Sequence, residues 1–212
     1  ARQLRHHYAG GWYHITTRGM GRREIFTDDR DRGHFLELLK SMVERYGIVL
    51  HAYVLMENHY HLLIETPAGN ASRALQWLNL SYAAWFNAKR GRCGPLFQAR
   101  FKSVPVDGEG SWSLACSVYI HLNPVRAGMV RSPEEYRWSS YSYYTERCAP
   151  SWLKTGFILG YFGTDPTQSR KDYRNYVIEK VNGGYIDPLA GVVASTILGS
   201  EDFVRRIKEN EL

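Results

Sequence analysis

The residues with the clearest chemical potential lie in Asn58-His59-Tyr60-His61-Leu62-Leu63-Ile64-Glu65. Side chains alternate between faces along a strand, so His59 and His61 share one face. Tyr60, Leu62 and Ile64 then take the other. Two imidazoles on one face are half of a divalent-metal site. A reaction also needs a third ligand, a nucleophile and a substrate. The stretch Tyr119-Ile120-His121-Leu122-Asn123-Pro124-Val125-Arg126 presents a phenol, an amide and a guanidinium. On a helix, Tyr119 and Asn123 lie one turn apart on one face, with Arg126 close to it. Asn-Pro also suits the cap and first position of a new helical turn. Asn123 therefore either joins the site or caps a kink at Pro124, and both readings stay open. A helix with a purely structural role is the plain alternative.

These side chains need elements to position them. Trp12 to Thr17 alternates and is rich in β-formers, which predicts a strand. Arg18-Gly19-Met20-Gly21-Arg22-Arg23 breaks it, as a solvated turn or a phosphate cradle. Phe35, Leu38, Leu39, Met42, Val43 and Tyr46 recur at helical spacing between Asp28 or Asp29 and Gly47. Strands follow over 48–55 and 59–66, separate or as one bent strand. A helix capped by Asn70 or Ser72 buries Leu75, Leu78 and Tyr82. Residues 97–106 read as extended, with Arg100 and Lys102 on one face. A third helix starts at Trp112 and buries Leu114, Val118 and Leu122. This order predicts an α+β fold, a mainly antiparallel sheet with helices on one face. Short helical stretches are expected from 133 onward and at 151–162, 167–181 and 195–210. A soft boundary falls near 148, giving a main domain over 1–148 and a C-terminal helical extension over 149–212.

The chain has 212 residues, 44 % of them hydrophobic, enough for one sizeable core. No apolar run approaches the ~20 residues of a membrane span, which argues against a membrane partner. Cys93, Cys116 and Cys148 are too scattered for a disulfide framework or a zinc ribbon, and suit reduced thiols in the cytoplasm. The net charge of +6 and the 15 tyrosines and 6 tryptophans make nucleic acid the first partner to consider. Candidate phosphate contacts are Arg2, Arg5, Arg18, Arg22, Arg23, Arg100, Lys102 and Arg126. Trp138 and Tyr141 are candidates for stacking on bases, or for packing the C-terminal segment onto the sheet.

Several stretches taken in order resemble the single-tyrosine transposases of the HUH endonuclease class, in the REP-associated branch. They are Tyr13-His14-Ile15-Thr16-Thr17-Arg18-Gly19, Asn58-His59-Tyr60-His61-Leu62-Leu63, and Gly94-Pro95-Leu96-Phe97-Gln98-Ala99-Arg100-Phe101-Lys102-Ser103. Tyr119 to Gly128 and Tyr136-Arg137-Trp138-Ser139-Ser140-Tyr141 complete the set. The likeness runs over about residues 8–145. It implies a ferredoxin-like or RRM-like sheet that carries the histidines, with the tyrosine helix packed beside it. It implies Tyr119 as nucleophile, and His59, His61 and Asn123 as ligands of Mg²⁺ or Mn²⁺. It implies cleavage of single-stranded DNA beside hairpins through a 5′-phosphotyrosine, by a monomer or a homodimer. Tyr60 departs from the aliphatic residue usual between the histidines, and no functional effect is expected of it.

The chemistry of the residues agrees with that implication. Neutral ligands leave a metal its full Lewis acidity toward a phosphodiester. A phenol with a pKa of about 10 attacks poorly without nearby positive charge. Arg126 or Lys102 could provide it. A phosphotyrosine conserves bond energy for rejoining, so no nucleotide cofactor is needed. Glu57 and Glu65 suit surface or edge roles, and His121 suits the core. Three rivals stand beside this reading. They are a relaxase-like replication initiator, a non-catalytic hairpin DNA- or RNA-binding module, and a metal-dependent hydrolase that uses water.

Overall fold

The computed structural model describes residues 8–183 and 197–209. Strands β1 (Gly11–Arg18), β2 (Val49–Leu55), β3 (His59–Thr66) and β4 (Lys102–Val106) form one antiparallel sheet of order β2-β3-β1-β4. Helices α1 (Asp29–Tyr46) and α2 (Ala71–Lys89) make the two βαβ-like crossings, and α3 (Trp112–Arg126) follows β4. The order is therefore the expected one, an α+β fold built on a four-stranded sheet. β2 and β3 are separate strands joined at Met56-Glu57-Asn58.

Each face of the sheet buries its own cluster. Tyr13 and Ile15 of β1, with Tyr60, Leu62 and Ile64 of β3, pack under Phe35, Leu39 and Met42 of α1 and Leu75, Leu78 and Tyr82 of α2. The alternate residues Ala52, Val54 and Leu63 face the other way, against Leu114, Val118 and Leu122 of α3. That second cluster continues into α4 (Tyr141–Thr145), α5 (Gly156–Leu159) and α6 (Pro166–Asn182) through Tyr141, Tyr144, Ile158, Tyr173 and Val177. So α1 and α2 share one face, and the second face is covered as well. Residues on both sides of position 148 build that second core. Later chain also shields both sheet edges, where Leu153 bridges Leu50 of β2 and Leu198 bridges Val106 of β4. The last helix, α7 (Glu201–Lys208), starts later than expected and packs Phe203 and Ile207 near Tyr8. Arg2, Arg5 and the first part of the 195–210 stretch lie outside the described residues.

Two polar joints hold the layers. The first ties the start of α1 to the end of α2. Asp28 caps α1 by accepting from the Asp31 amide at 2.8 Å, and Gly47 ends the helix in the left-handed region at φ 63°. Asp31 is fully buried and takes Lys89 Nζ and Arg90 at 2.7 Å each. Acid at a helix start and base at a helix end also suit the two macrodipoles. The second joint is His121. Its Nδ1 meets Tyr173 Oη of α6 and its Nε2 meets Ser140 Oγ, both at 2.7 Å. Ser140 is bonded in turn to the Tyr53 backbone of β2. Burial pushes the imidazole down to about 3, so it stays neutral. His121 is thus a core residue, as its sequence position suggests.

Replacing His121 with Leu should remove two hydrogen bonds and leave buried hydroxyls short of partners. The expected loss is roughly 1–3 kcal/mol in urea unfolding, and an unchanged midpoint would show that the joint carries no stability. Asp28 gives a pH test. The Lys89 ammonium and the Asp31 amide hold its carboxyl down at about 2, against an ordinary 3.8. A depressed folded pKa gives stability that is present above the unfolded value and is lost as pH falls through the folded one. Asp28→Asn keeps a cap acceptor but not the charge, so its unfolding midpoint should fall less than wild type between about pH 4 and 2.

Candidate active site at the open end of the sheet

The antiparallel register builds the site. Thr16 lies opposite His61 and Arg18 opposite His59 across β1 and β3, and Lys102 of β4 lies opposite Thr16. Directly paired residues share a face, so His14, Thr16, Arg18, His59, His61 and Lys102 all lie on the α3 side. Tyr60 lies on the other side, fully buried.

The histidines are oriented by neighbours. His14 Nε2 meets His61 Nδ1 at 2.8 Å, and Thr16 Oγ1 meets the same nitrogen at 3.1 Å. Both contacts fall on Nδ1, so Nε2 is the ring nitrogen of His61 with ligand chemistry left. The Asn58 amide Nδ2 donates to the Arg22 carbonyl at 3.1 Å, which fixes its Oδ1 as the acceptor. His59 Nδ1 donates to that oxygen at 2.6 Å, so His59 also keeps Nε2 as a lone pair. Burial, with help from Arg18, lowers the His59 pKa to about 4. Burial also lowers that of His61 well below its ordinary value, assisted by His14, His59, Arg18 and Arg126. Both imidazoles are therefore neutral near pH 7, the form that binds metal.

α3 brings the phenol to them. The Tyr119 ring stands edge-on to His14 at 5.5 Å and to His61 at 5.7 Å between centroids. The Arg126 guanidinium lies 5.1 Å above the Tyr119 ring. The helix runs through Pro124 to Arg126 with no break at Asn123. Pro124 sits inside the helix, and Asn123 Nδ2 donates to the Tyr119 carbonyl at 2.8 Å. Asn123 therefore does not cap a new turn. Its NH₂ half is bonded to the helix, and ligation would use its Oδ1.

The donor set of two imidazole Nε2 atoms and one amide oxygen suits a small divalent cation. Among the described residues, no group of three or more His, Cys, Asp or Glu side chains could hold a metal ion. A metal held by His59 and His61 would therefore need a donor of another type, and the Asn123 amide oxygen is a candidate for it. Glu65 lies at the far end of β3, 3.5 Å from His51, and takes no part.

The basic residues divide. Arg18, Arg22, Arg100 and Lys102 line one cleft of about 360 Å³, together with Thr16 and Thr17. Arg126 sits on the Tyr119 ring, and Arg23 is exposed outside the cleft. The loop after β1 holds one 3-10 turn, Met20–Arg22, in which Gly21 and Arg22 are exposed while Gly19 before it is buried. Among the described residues, Arg22 is the one non-glycine position with a positive φ, 61°. Such strain persists only where surroundings impose it. Asn58 O accepts from Gly19 N, and Glu57 O accepts from Ile25 N and Phe26 N, so the 57–58 corner pins the loop. Trp138 packs between Arg32 and Arg137, and Tyr141 is buried, so Tyr141 offers no face to a base.

His14, Thr16 and Asn58 were assigned no role from sequence. The alternation Trp12, His14, Thr16, Arg18 on β1 is the signal that places the first two beside the His59–His61 face.

The chain matches the family of IS200-like transposases over residues 7–123, more than half its length. No curated protein matches it by sequence. Among solved structures it is similar to a REP-associated tyrosine transposase bound to a REP hairpin, at 18 % identity and a TM-score of 0.56. That likeness covers 66 % of this chain and 82 % of the other, and it concerns the fold. A transposase candidate from Deinococcus radiodurans is more distant, at 17 % identity over 60 % of this chain and 92 % of that one, with a TM-score of 0.40. With its family match spanning both the histidine strand and Tyr119, the chain belongs to the IS200-like transposases.

Proposed function

We propose that the protein cleaves and rejoins single-stranded DNA beside hairpins, with Tyr119 as nucleophile and with Mg²⁺ or Mn²⁺ held by His59, His61 and Asn123. The observation that carries this reading is the edge-on approach of the Tyr119 ring to both His61 and His14. A phenol from the helix and imidazoles from the sheet thus meet in one site flanked by cations. Family membership supports a transposition reaction, and the hairpin bound to the structural neighbour supports the substrate class.

A bound divalent metal would draw charge from a non-bridging phosphate oxygen. The chain's own residues account for the remaining work. Arg18, Arg22, Arg100 and Lys102 bind and orient the strand through its phosphates. Arg126 over the Tyr119 ring keeps positive charge beside the phenol and the phosphate it would attack. Tyr119 Oη attacks phosphorus while the P–O3′ bond breaks. The phenol proton passes to water, and the departing 3′ oxygen takes a proton to become a hydroxyl. The new P–O bond is a 5′-phosphotyrosine, and the reverse attack by a 3′-OH rejoins the strand without a nucleotide cofactor.

Protein incubated with Mn²⁺ and a labelled pool of hairpin oligonucleotides with single-stranded flanks should form a covalent adduct on a denaturing gel. Tyr119→Phe should abolish it. Cleavage that persists in Tyr119→Phe without an adduct would instead identify water as the nucleophile. Removing the outer partner of a metal-bound imidazole costs about 10- to 100-fold in affinity. His14→Ala should accordingly weaken Mn²⁺ binding about tenfold by titration, with circular dichroism checking that the variant of this buried residue is folded; unchanged affinity in the folded variant would exclude His14 from that role.

A further inference from the structure

A second cavity, of about 490 Å³, opens between α2 and the 95–101 segment. Leu80, Ala83, Leu96 and Phe101 form apolar wall, and Gln76 and Asn79 add amides. Leu80 is 62 % exposed, a large aliphatic side chain left at the mouth. Ala99 and Arg100 line this cavity and the basic cleft alike, so the two adjoin. Among the described residues, no carboxylate lines either.

The Asn79 amide is oriented from within the sheet. Thr17 Oγ1 donates to Tyr60 Oη at 2.9 Å, and Tyr60 donates to Asn79 Oδ1 at 2.7 Å. Tyr60 is fully buried and burial raises its pKa, so it keeps its proton and remains a donor. The Asn79 oxygen is therefore used, and its two N–H donors are the half with capacity for a ligand. Tyr60 is the residue between His59 and His61. One strand thus carries the histidines on one face and, on the other, sets the amide of this cavity.

We propose that the cavity takes an unpaired nucleobase of the strand whose phosphates lie in the arginine cleft, with Asn79 as a specificity-determining residue. This rests on the reading that the protein binds single-stranded DNA. Apolar walls accept the faces of a base, as stacking platforms do. The Asn79 donors suit a ring nitrogen or carbonyl on the base edge. Arg100, common to both cavities, spans base and phosphate. A small apolar ligand would have no use for the adjoining cations, whereas a nucleotide needs both surfaces.

The test uses the full chain and a pool of hairpin oligonucleotides with randomised single-stranded extensions. Bound members are sequenced, and the preferred one is then titrated by fluorescence anisotropy. Wild type should enrich one base at one position. Asn79→Asp keeps an acceptor for Tyr60 but replaces the donors with a carboxylate. It should erase that preference and weaken binding of the preferred oligonucleotide about tenfold. Leu80→Ser, at an exposed position that leaves folding intact, should weaken it several-fold. A hairpin without the extension should bind all three proteins within about twofold. Retention of the base preference in both variants overturns the proposal. If wild type still forms the Tyr119 adduct in that case, the cavity reading alone falls. If wild type binds no member of the pool, the cavity reading and the functional one fall together.

Discussion

The register of β1 against β3 is the constraint on which the site depends. Side chains alternate along a strand, so a slip of one residue would carry every side chain to the other face. Here the slip is opposed by the first core. Tyr13, Ile15, Tyr60, Leu62 and Ile64 are all buried under α1 and α2, and each large apolar side chain is worth about 1.5–3 kcal/mol there. The same register leaves His14, Thr16 and Arg18 beside His59 and His61 on the opposite face. Hydrophobic packing on one side thus places polar chemistry on the other.

The second half of the site depends on a different packing. α3 lies on the histidine face because Leu114, Val118 and Leu122 find Ala52, Val54 and Leu63 there. His121 secures its depth, since its two nitrogens reach Ser140 on one side and Tyr173 on the other. Tyr119 and Asn123 are then carried toward the open end of the sheet. The helices beyond residue 148 contribute here through Tyr173 and Val177, which help to complete the core that holds the tyrosine helix. The Tyr119 ring on that helix thus stands edge-on to the His14 and His61 rings of the sheet.

Charge is distributed to match. The imidazoles are neutral because they are buried and near cations. The cations themselves stay at the rim, four around one cleft and Arg126 over the phenol. A polyanion would be drawn to the rim, while the neutral imidazoles keep ring-nitrogen lone pairs that can accept. The Asp31 cluster with Lys89 and Arg90 spends its charge internally and braces α1 against α2 instead.

Local rules made much of this legible beforehand. Alternation identified β3 and the shared face of His59 and His61, and helical spacing placed Tyr119, Asn123 and Arg126 together. Capping marked α1, with Asp28 at its start and Gly47 at its end. These are short-range properties, because backbone geometry repeats every two or 3.6 residues. Pairings between distant segments were not legible. The His14–His61 contact joins residues 47 positions apart, and His121–Tyr173 joins residues 52 apart. Tyr60 looked inert in sequence, yet across the sheet it donates to Asn79. Whether Asn123 caps a turn was likewise ambiguous, because Asn-Pro is compatible with both a break and a continuous helix. Sequence periodicity by itself determined which side chains share a face of one element. Only the tertiary structure decided which faces meet, because that depends on register and on the burial of whole surfaces rather than on any local repeat.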